Sequence, residues 1–206
     1  MSEIRKGMLL VISGPSGTGK GTLIERLMKE DPTLVFSVSA TTRAPRPGEI
    51  EGVNYHFITK EDFLRRIADG DMLEYTEYCG NYYGTPRREA EAVLESGKNL
   101  ILEIEVDGAS QVKRKFPDAV LIMLLPPSYA VQEQRLRGRG TETEDKVLAR
   151  LAQAKEELNY LPRYDYVVYN EDGGALRCAE EIMEILRAEQ HCVYRHPDAI
   201  ENYFKS

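Results

Sequence analysis

Seven residues, Gly14-Pro15-Ser16-Gly17-Thr18-Gly19-Lys20, follow directly on the apolar run Met8-Leu9-Leu10-Val11-Ile12 and precede a stretch with helical spacing. A buried strand that turns into a helix through three glycines and a lysine leaves few architectures open. Glycines let the backbone turn tightly and aim successive N–H groups inward, the helix N-terminus adds partial positive charge, and Lys20 extends a cation toward the β- and γ-phosphates of a nucleotide. Gly14 to Gly19-Lys20 is therefore expected to be a phosphate-binding loop that cradles a polyphosphate. The residue after the lysine, where a hydroxyl ordinarily ligates magnesium, is Gly21, with Thr22 one place later. A metal here is expected to be held mainly by phosphate oxygens and water, with Thr22 or Glu103 assisting.

Downstream, the pattern alternates between strand and helix. Helical spacing over 22–30 ends at Asp31-Pro32, a β-rich run covers 34–38, and a polar basic loop follows over 39–49. A short strand is predicted at 55–58, a helix at 59–67 with Thr59 as N-cap, and a strand at 72–78 that carries Glu74 and Thr76 on one face. Asn81-Tyr82-Tyr83-Gly84-Thr85 reads as an aromatic-rich turn. Then come a helix at 86–96 stopped by Gly97, a near-continuous apolar strand at 99–108, a helix at 109–115, and a buried strand at 119–125. Helical residues 129–158, broken once at 137–143, lead to a strand at 166–170 and a last helix at 175–189. Strands separated by helices in this order give right-handed crossovers and a parallel sheet. The expected fold is α/β, a phosphate-loop three-layer α/β/α parallel-sheet core, with a small α+β insertion over about 37–84 and a helical segment over 128–158.

Length and composition exclude several alternatives. At 206 residues the chain is about one domain. Lys and Arg total 27 against 34 Asp and Glu, a net charge of -7, so no global field draws it to nucleic acid, and any polyanion must be held by local clusters. No segment approaches the roughly 18 continuous apolar residues of a membrane span, and the N-terminus carries no secretory signal pattern, so a cytoplasmic location is expected. Cys79, Cys178 and Cys192 are odd in number and far apart, which suggests free thiols in a reducing compartment. His191, Cys192 and His196 lack the four-ligand spacing of a structural zinc.

Three charged groups stand out. Arg43 and Arg46 flank prolines, and their planar donor forks could form a stiff bidentate clamp for a phosphate monoester, or simply a solvated turn. Glu103 and Glu105 lie two apart inside the apolar run 99–108 and would point the same way; carboxylates there are costly without partners, which favours function. Arg135, Arg139 and Arg150 sit on a helix, glycine-rich loop and helix, the pattern either of a mobile lid closing arginines on transferring phosphates or of a solvated helical hairpin.

Four blocks, 13–22, 36–49, 80–85 and 137–144, together give the chain a resemblance to the bacterial guanylate kinases, running from Met8 to about Glu189. The resemblance implies phosphorylation of GMP, and of dGMP, by ATP with magnesium, by direct in-line transfer. It implies an ATP site of Gly14, Pro15, Ser16, Gly17, Thr18, Gly19, Lys20, Gly21, Thr22 and Asn170, with Asn170 and Asp172 as candidates for adenine contacts. The implied GMP site is Ser39, Arg43, Arg46, Glu49, Tyr55, Glu74, Tyr83, Thr85 and Glu103. Within it, Arg43, Arg46, Tyr55 and Tyr83 would hold the phosphate, and Glu74 would accept from the N1–H and amino group of guanine. Lys20, Arg43, Arg135, Arg139 and Arg150 would stabilise the moving phosphoryl group, and Thr22 would reach the metal through water. The corresponding division is a core made of 1–36, 85–127 and 159–206, a GMP-binding part at 37–84 and a lid at 128–158. The expected partners are GMP and ATP, with no nucleic acid and no membrane; the oligomeric state stays open. Another monophosphate kinase, or a phosphopeptide-binding relative without catalysis, are the competing readings.

Overall fold

The computed structural model describes residues 6–78, 80–138 and 143–205, the side chain of Asn202 apart. In chain order it forms β1 (Leu9–Ser13), α1 (Lys20–Glu30), β2 (Val35–Phe36), β3 (Ala40–Thr41), β4 (His56–Phe57), α2 (Lys60–Ala68), β5 (Met72–Tyr78) and β6 (Asn81–Pro86). There follow α3 (Arg87–Glu95), β7 (Leu100–Glu103), α4 (Val106–Lys115), β8 (Val120–Leu125), α5 (Tyr129–Gly138) and α6 (Glu144–Leu158). The chain ends with β9 (Tyr166–Tyr169), α7 (Ala175–Glu189) and α8 (Ala199–Phe204).

Among the described residues, five strands make a parallel sheet in the order β2-β7-β1-β8-β9. Its central strand β1 is buried on both faces, as a continuous apolar run requires. Leu10 and Ile12 face a layer built by Leu23 and Leu27 of α1 and Ile182 and Leu186 of α7. Leu9 and Val11, one residue out of phase, face Leu94 of α3 and Ala109 and Val112 of α4. The result is the expected α/β/α sandwich. At the carboxyl end of β1 the neighbouring strands β7 and β8 lead away on opposite sides, the place where such sheets gather ligands.

A second sheet, ordered β4-β3-β6-β5, is formed between residues 40 and 86 and covers its own small core of Ala40, Phe63 and Met72. The Phe63 ring of α2 stacks on Tyr82 at 5.4 Å between centroids. Thr59 caps α2, its hydroxyl accepting from Asp62 N at 3.1 Å.

Three local expectations are corrected. Residues 81–85 are not a turn but most of β6, antiparallel to β5 with Glu74 opposite Thr85 and Thr76 opposite Tyr83. Gly80, with φ 75°, takes the bend, leaving the tyrosines to pack as strand residues. The apolar run 99–108 is a strand only to Glu103; Glu105 is the N-cap of α4, and Val106, Ala109 and Val112 recur at helical spacing. Glu103 and Glu105 therefore do not share a strand face, and Asp107 lies in the first helical turn, where its charge complements the helix dipole. The run 34–38 narrows to the two residues of β2 because only Val35 and Phe36 pair with β7.

Candidate active site

The phosphate loop is the segment between β1 and α1. Gly19 has φ 86°, and a Cβ there would stand 2.6 Å from Asn170 Nδ2, so a side chain would meet both a strained backbone and a steric block. Asn170 follows the end of β9, is 6% exposed, and donates from Nδ2 to Thr18 O at 2.7 Å. Its Oδ1 accepts from Cys178 Sγ at 3.6 Å. The amide of Asn170 is thus turned onto the loop's backbone as a strap. Lys20 Nζ donates to Gly14 O at 2.5 Å and to Pro15 O at 3.3 Å, lying across the loop.

Helices α5 and α6 come up against the same loop. Gln132 Nε2 donates to Ser16 O at 3.0 Å, Arg150 Nη1 donates to Ser16 Oγ at 3.2 Å, and Leu136 lies 3.3 Å from where a Gly17 Cβ would be. Arg135 donates to Asn170 O at 2.8 Å and to Asp172 Oδ1 at 2.7 Å, so Asp172 also serves an arginine in this structure. Arg137 ties the two helices by bonding Glu133 of α5 and Glu144 of α6. Arg139 lies outside the described residues.

A second group assembles around the basic loop after β3. Arg43 and Glu49 pair bidentately, with both N–H···O distances 2.9 Å, and Arg46 N donates to Glu49 Oε2 at 2.7 Å. The paired guanidinium, followed by the Arg46 amide, holds the Glu49 carboxyl down at about 2. The Arg43 guanidinium lies 5.4 Å from the Tyr55 ring centroid, and Tyr55 meets Tyr83 edge-on at 6.1 Å. Arg43, Glu49, Tyr55 and Tyr83 are therefore brought together, whereas the Arg46 side chain is exposed. Ser39 is half-buried just before β3, its carbonyl accepting from His56 N at 2.9 Å.

Glu74 is a different kind of carboxylate. It is 3% exposed, and burial pushes its pKa up to about 7 despite the Thr85 hydroxyl, which donates to Oε1 at 2.8 Å. Glu103, at the end of β7, is exposed as a residue, yet partial desolvation of its carboxyl raises its pKa, while the Lys20 ammonium works against the shift. Burial raises the Tyr55 hydroxyl, the Arg43 guanidinium opposes that shift, and Glu103 adds a smaller push upward. Glu103 and Gly21 line an open groove together with Ile24, Met28 and Phe36. Thr22 is exposed, nothing lies within 4 Å of where a Gly21 Cβ would point, and among the described residues no three His, Cys, Asp or Glu side chains are grouped to hold a metal. The Thr22 hydroxyl and the Glu103 carboxylate are oxygen donors of the kind that a hard cation takes.

The structure thus combines a glycine-rich strand-to-helix loop, a pair of helices presenting arginines to it, and a separate sheet with a buried carboxylate. The Guanylate kinase family model matches residues 6–189. The chain belongs to the guanylate kinase family. It is accordingly a nucleoside monophosphate kinase, a transferase. A guanylate kinase of Halalkalibacterium halodurans is 46% identical over 201 residues, covering 98% of this chain and 96% of the relative. One from Synechocystis is 52% identical over 167 residues, covering 81% and 87%. The crystal structure of guanylate kinase from Anaplasma phagocytophilum superposes with a TM-score of 0.71 at 37% identity, covering 93% of this chain and 90% of that one.

Three residues around the candidate site have no role foreseen in the sequence. Gln132 is 3% exposed on α5 and reaches the loop, and its only sequence signal is a polar residue at an inward helical position. Arg137 lies in one of the resemblance blocks, but its role as a tie between α5 and α6 comes from its two carboxylate partners. Gly108, inside α4, could have been noticed as a glycine where a helix gains nothing from one.

Proposed function

We propose that this guanylate kinase transfers the γ-phosphoryl group of ATP to the phosphate of GMP, giving ADP and GDP. The observation that carries this reading is the buried Glu74 held by Thr85 on the second sheet, with Lys20 and its glycine loop on the first and Glu103 sensing the charge of Lys20. A buried carboxylate accepts from the paired N1–H and amino donors of guanine; adenine offers no such pair and would leave the charge unpaired. Ser39 and Thr85 address the remaining base edge.

Arg43, Arg46, Tyr55 and Tyr83 hold the GMP phosphate, whose oxygen is the nucleophile and needs no general base. Glu49 keeps the Arg43 fork oriented before the phosphate arrives. The ATP phosphates take the loop N–H groups of residues 14–22, and Lys20 leaves the Gly14 and Pro15 carbonyls to follow the transferred group. Arg135 and Arg150, with Arg139, add positive charge from the lid, and positioning with electrostatic stabilisation supplies most of the rate. Thr22 and Glu103 would be the residues to hold magnesium, which would supply neutralisation of phosphate charge. Residues 37–84 form the GMP-binding part, 128–158 the lid, and 1–36, 85–127 and 159–206 the core. Two nucleotides must be in place before water is excluded, since an open loop would hydrolyse ATP.

Among the described residues no helix is long and apolar enough to cross a membrane, and we assign the enzyme to the cytoplasm. A coupled assay offering ATP with GMP, dGMP, AMP, UMP or dTMP tests the reading. Turnover confined to GMP and dGMP is expected; equal rates on AMP would overturn the role given to Glu74.

A further inference from the structure

We propose that Gly108, on the core helix α4, fixes where the Glu74 carboxylate stands and is thereby a specificity-determining position for guanine. The proposal rests on Glu74 being the residue that reads the base.

Gly108, Gln111 and Lys115 recur at i, i+3 and i+7, which puts them on one stripe of α4. That stripe lies along β5. Gln111 Nε2 donates to Tyr75 O at 2.8 Å and its Oε1 accepts from Tyr75 N at 3.2 Å, so one amide side chain holds both polar groups of that backbone residue. Lys115 Nζ donates to Met72 O at 3.0 Å and Leu73 O at 2.8 Å. The backbone on either side of Glu74 is thus tied to α4, and the strand has little freedom to back away from the helix.

At the head of the stripe the approach is close. A Cβ on Gly108 would stand 2.7 Å from Glu74 Oε2 and 3.4 Å from Glu74 Cδ; its other nearest neighbour, Ile104 Cδ1, is at an ordinary 3.4 Å. The single short contact is with a carboxylate oxygen, the far end of a side chain that can rotate, and no backbone atom is in the way. An added methyl group would therefore move the carboxylate and leave the fold in place. The moved head would lose its alignment with Thr85 Oγ1, now 2.8 Å from Oε1, and with it the orientation that a two-donor base edge demands. Helix physics favours the opposite residue: Gly108 does not have positive φ, and alanine is the better helix former in an interior position.

The test compares Gly108→Ala, Glu74→Gln, Glu74→Asp and the double variant Gly108→Ala/Glu74→Asp, assayed with ATP and either GMP or AMP, with melting temperatures alongside. For Gly108→Ala we expect KM for GMP to rise roughly tenfold or more and the GMP to AMP preference to shrink by a similar factor. Saturated turnover should stay within about twofold, KM for ATP should not move, and Tm should hold or rise by about 2–4 °C. The shorter side chain of Glu74→Asp withdraws from the added methyl, so the double variant should bind GMP no worse than Glu74→Asp alone, a marked departure from additivity. An unchanged KM for GMP in Gly108→Ala, additive effects in the double variant, or a lowered Tm with both KM values shifted together would overturn the proposal. Should Gly108→Ala not fold, the double variant against Glu74→Asp carries the comparison, and a further tenfold loss of GMP affinity there would refute it. Glu74→Gln separates the two readings. Intact guanine preference in that variant defeats the role of Glu74 itself, whereas preference lost in Glu74→Gln but kept in Gly108→Ala defeats only the role of Gly108.

Discussion

Thr85 donates its hydroxyl to Glu74 Oε1 across the paired strands β5 and β6, a side-chain hydrogen bond that opposes the effect of burial on that carboxylate. With the base-reading role proposed for Glu74, the pair would make recognition sensitive to proton concentration near neutrality.

With Glu74 titrating at about 7, only the ionised form can accept from both guanine donors. The value of kcat/KM for GMP should fall about tenfold per pH unit below 7. The GMP phosphate itself titrates near 6, so the comparison is with Glu74→Gln, whose profile should lack the higher transition. In Thr85→Ala the opposing hydrogen bond is gone, and the midpoint should move upward; a profile identical to wild type would contradict this assignment.

The same shift has the opposite sign for stability. Glu74 is raised to about 7 from an ordinary 4.5, so its contribution is fully present below 4.5 and is lost as pH rises through 7. The loss is roughly 3 kcal/mol at most. Urea titrations at pH 5 and 8 should show a smaller drop in stability toward pH 8 for Glu74→Gln than for wild type.

Lys20→Ala should reduce turnover by orders of magnitude while GMP affinity stays within a few-fold, because Lys20 belongs to the loop and not to the Arg43 group. Calorimetric titration with GMP alone checks this, and a collapse of GMP binding would mean that the two sites are not separable.

Asn170→Ala removes the strap on Thr18 and leaves a buried carbonyl unpaired, at a cost of about 1–3 kcal/mol. KM for ATP should rise and Tm fall, with KM for GMP unchanged. Steady-state kinetics in each substrate together with a melting curve would decide it.

Arg150→Met keeps the apolar stem of the side chain but removes the donor now on Ser16 Oγ. Turnover should fall by about 10²–10³ with Tm nearly unchanged. A loss confined to KM for ATP would point instead to ground-state binding.

Much of the core was legible because it rests on periodicity: β1 and β8 are continuous apolar runs, and α2 and α7 show clear helical faces with recognisable ends. The misread stretches were those where tertiary pairing decides. Tyr82 and Tyr83 look like turn residues beside Gly84 until β5 pairs with them, and Glu103 to Asp107 read as strand because nothing local announces that the sheet ends. The site was legible through its motif residues, and illegible where a residue acts by its backbone or its emptiness. Asn170 stands out by its position at a strand end, but its partner, the Thr18 carbonyl, leaves no mark in sequence. Gly108 is defined by the space it leaves for Glu74.

The strap between Asn170 and Thr18 joins residues 152 positions apart. On a ribosome the phosphate loop emerges long before β9, and at ordinary synthesis rates the interval is on the order of ten seconds. Through that interval the loop has β1 and α1 but not the amide that holds its backbone. A truncated chain lacking the last strand would carry the whole glycine motif and still present it unfastened.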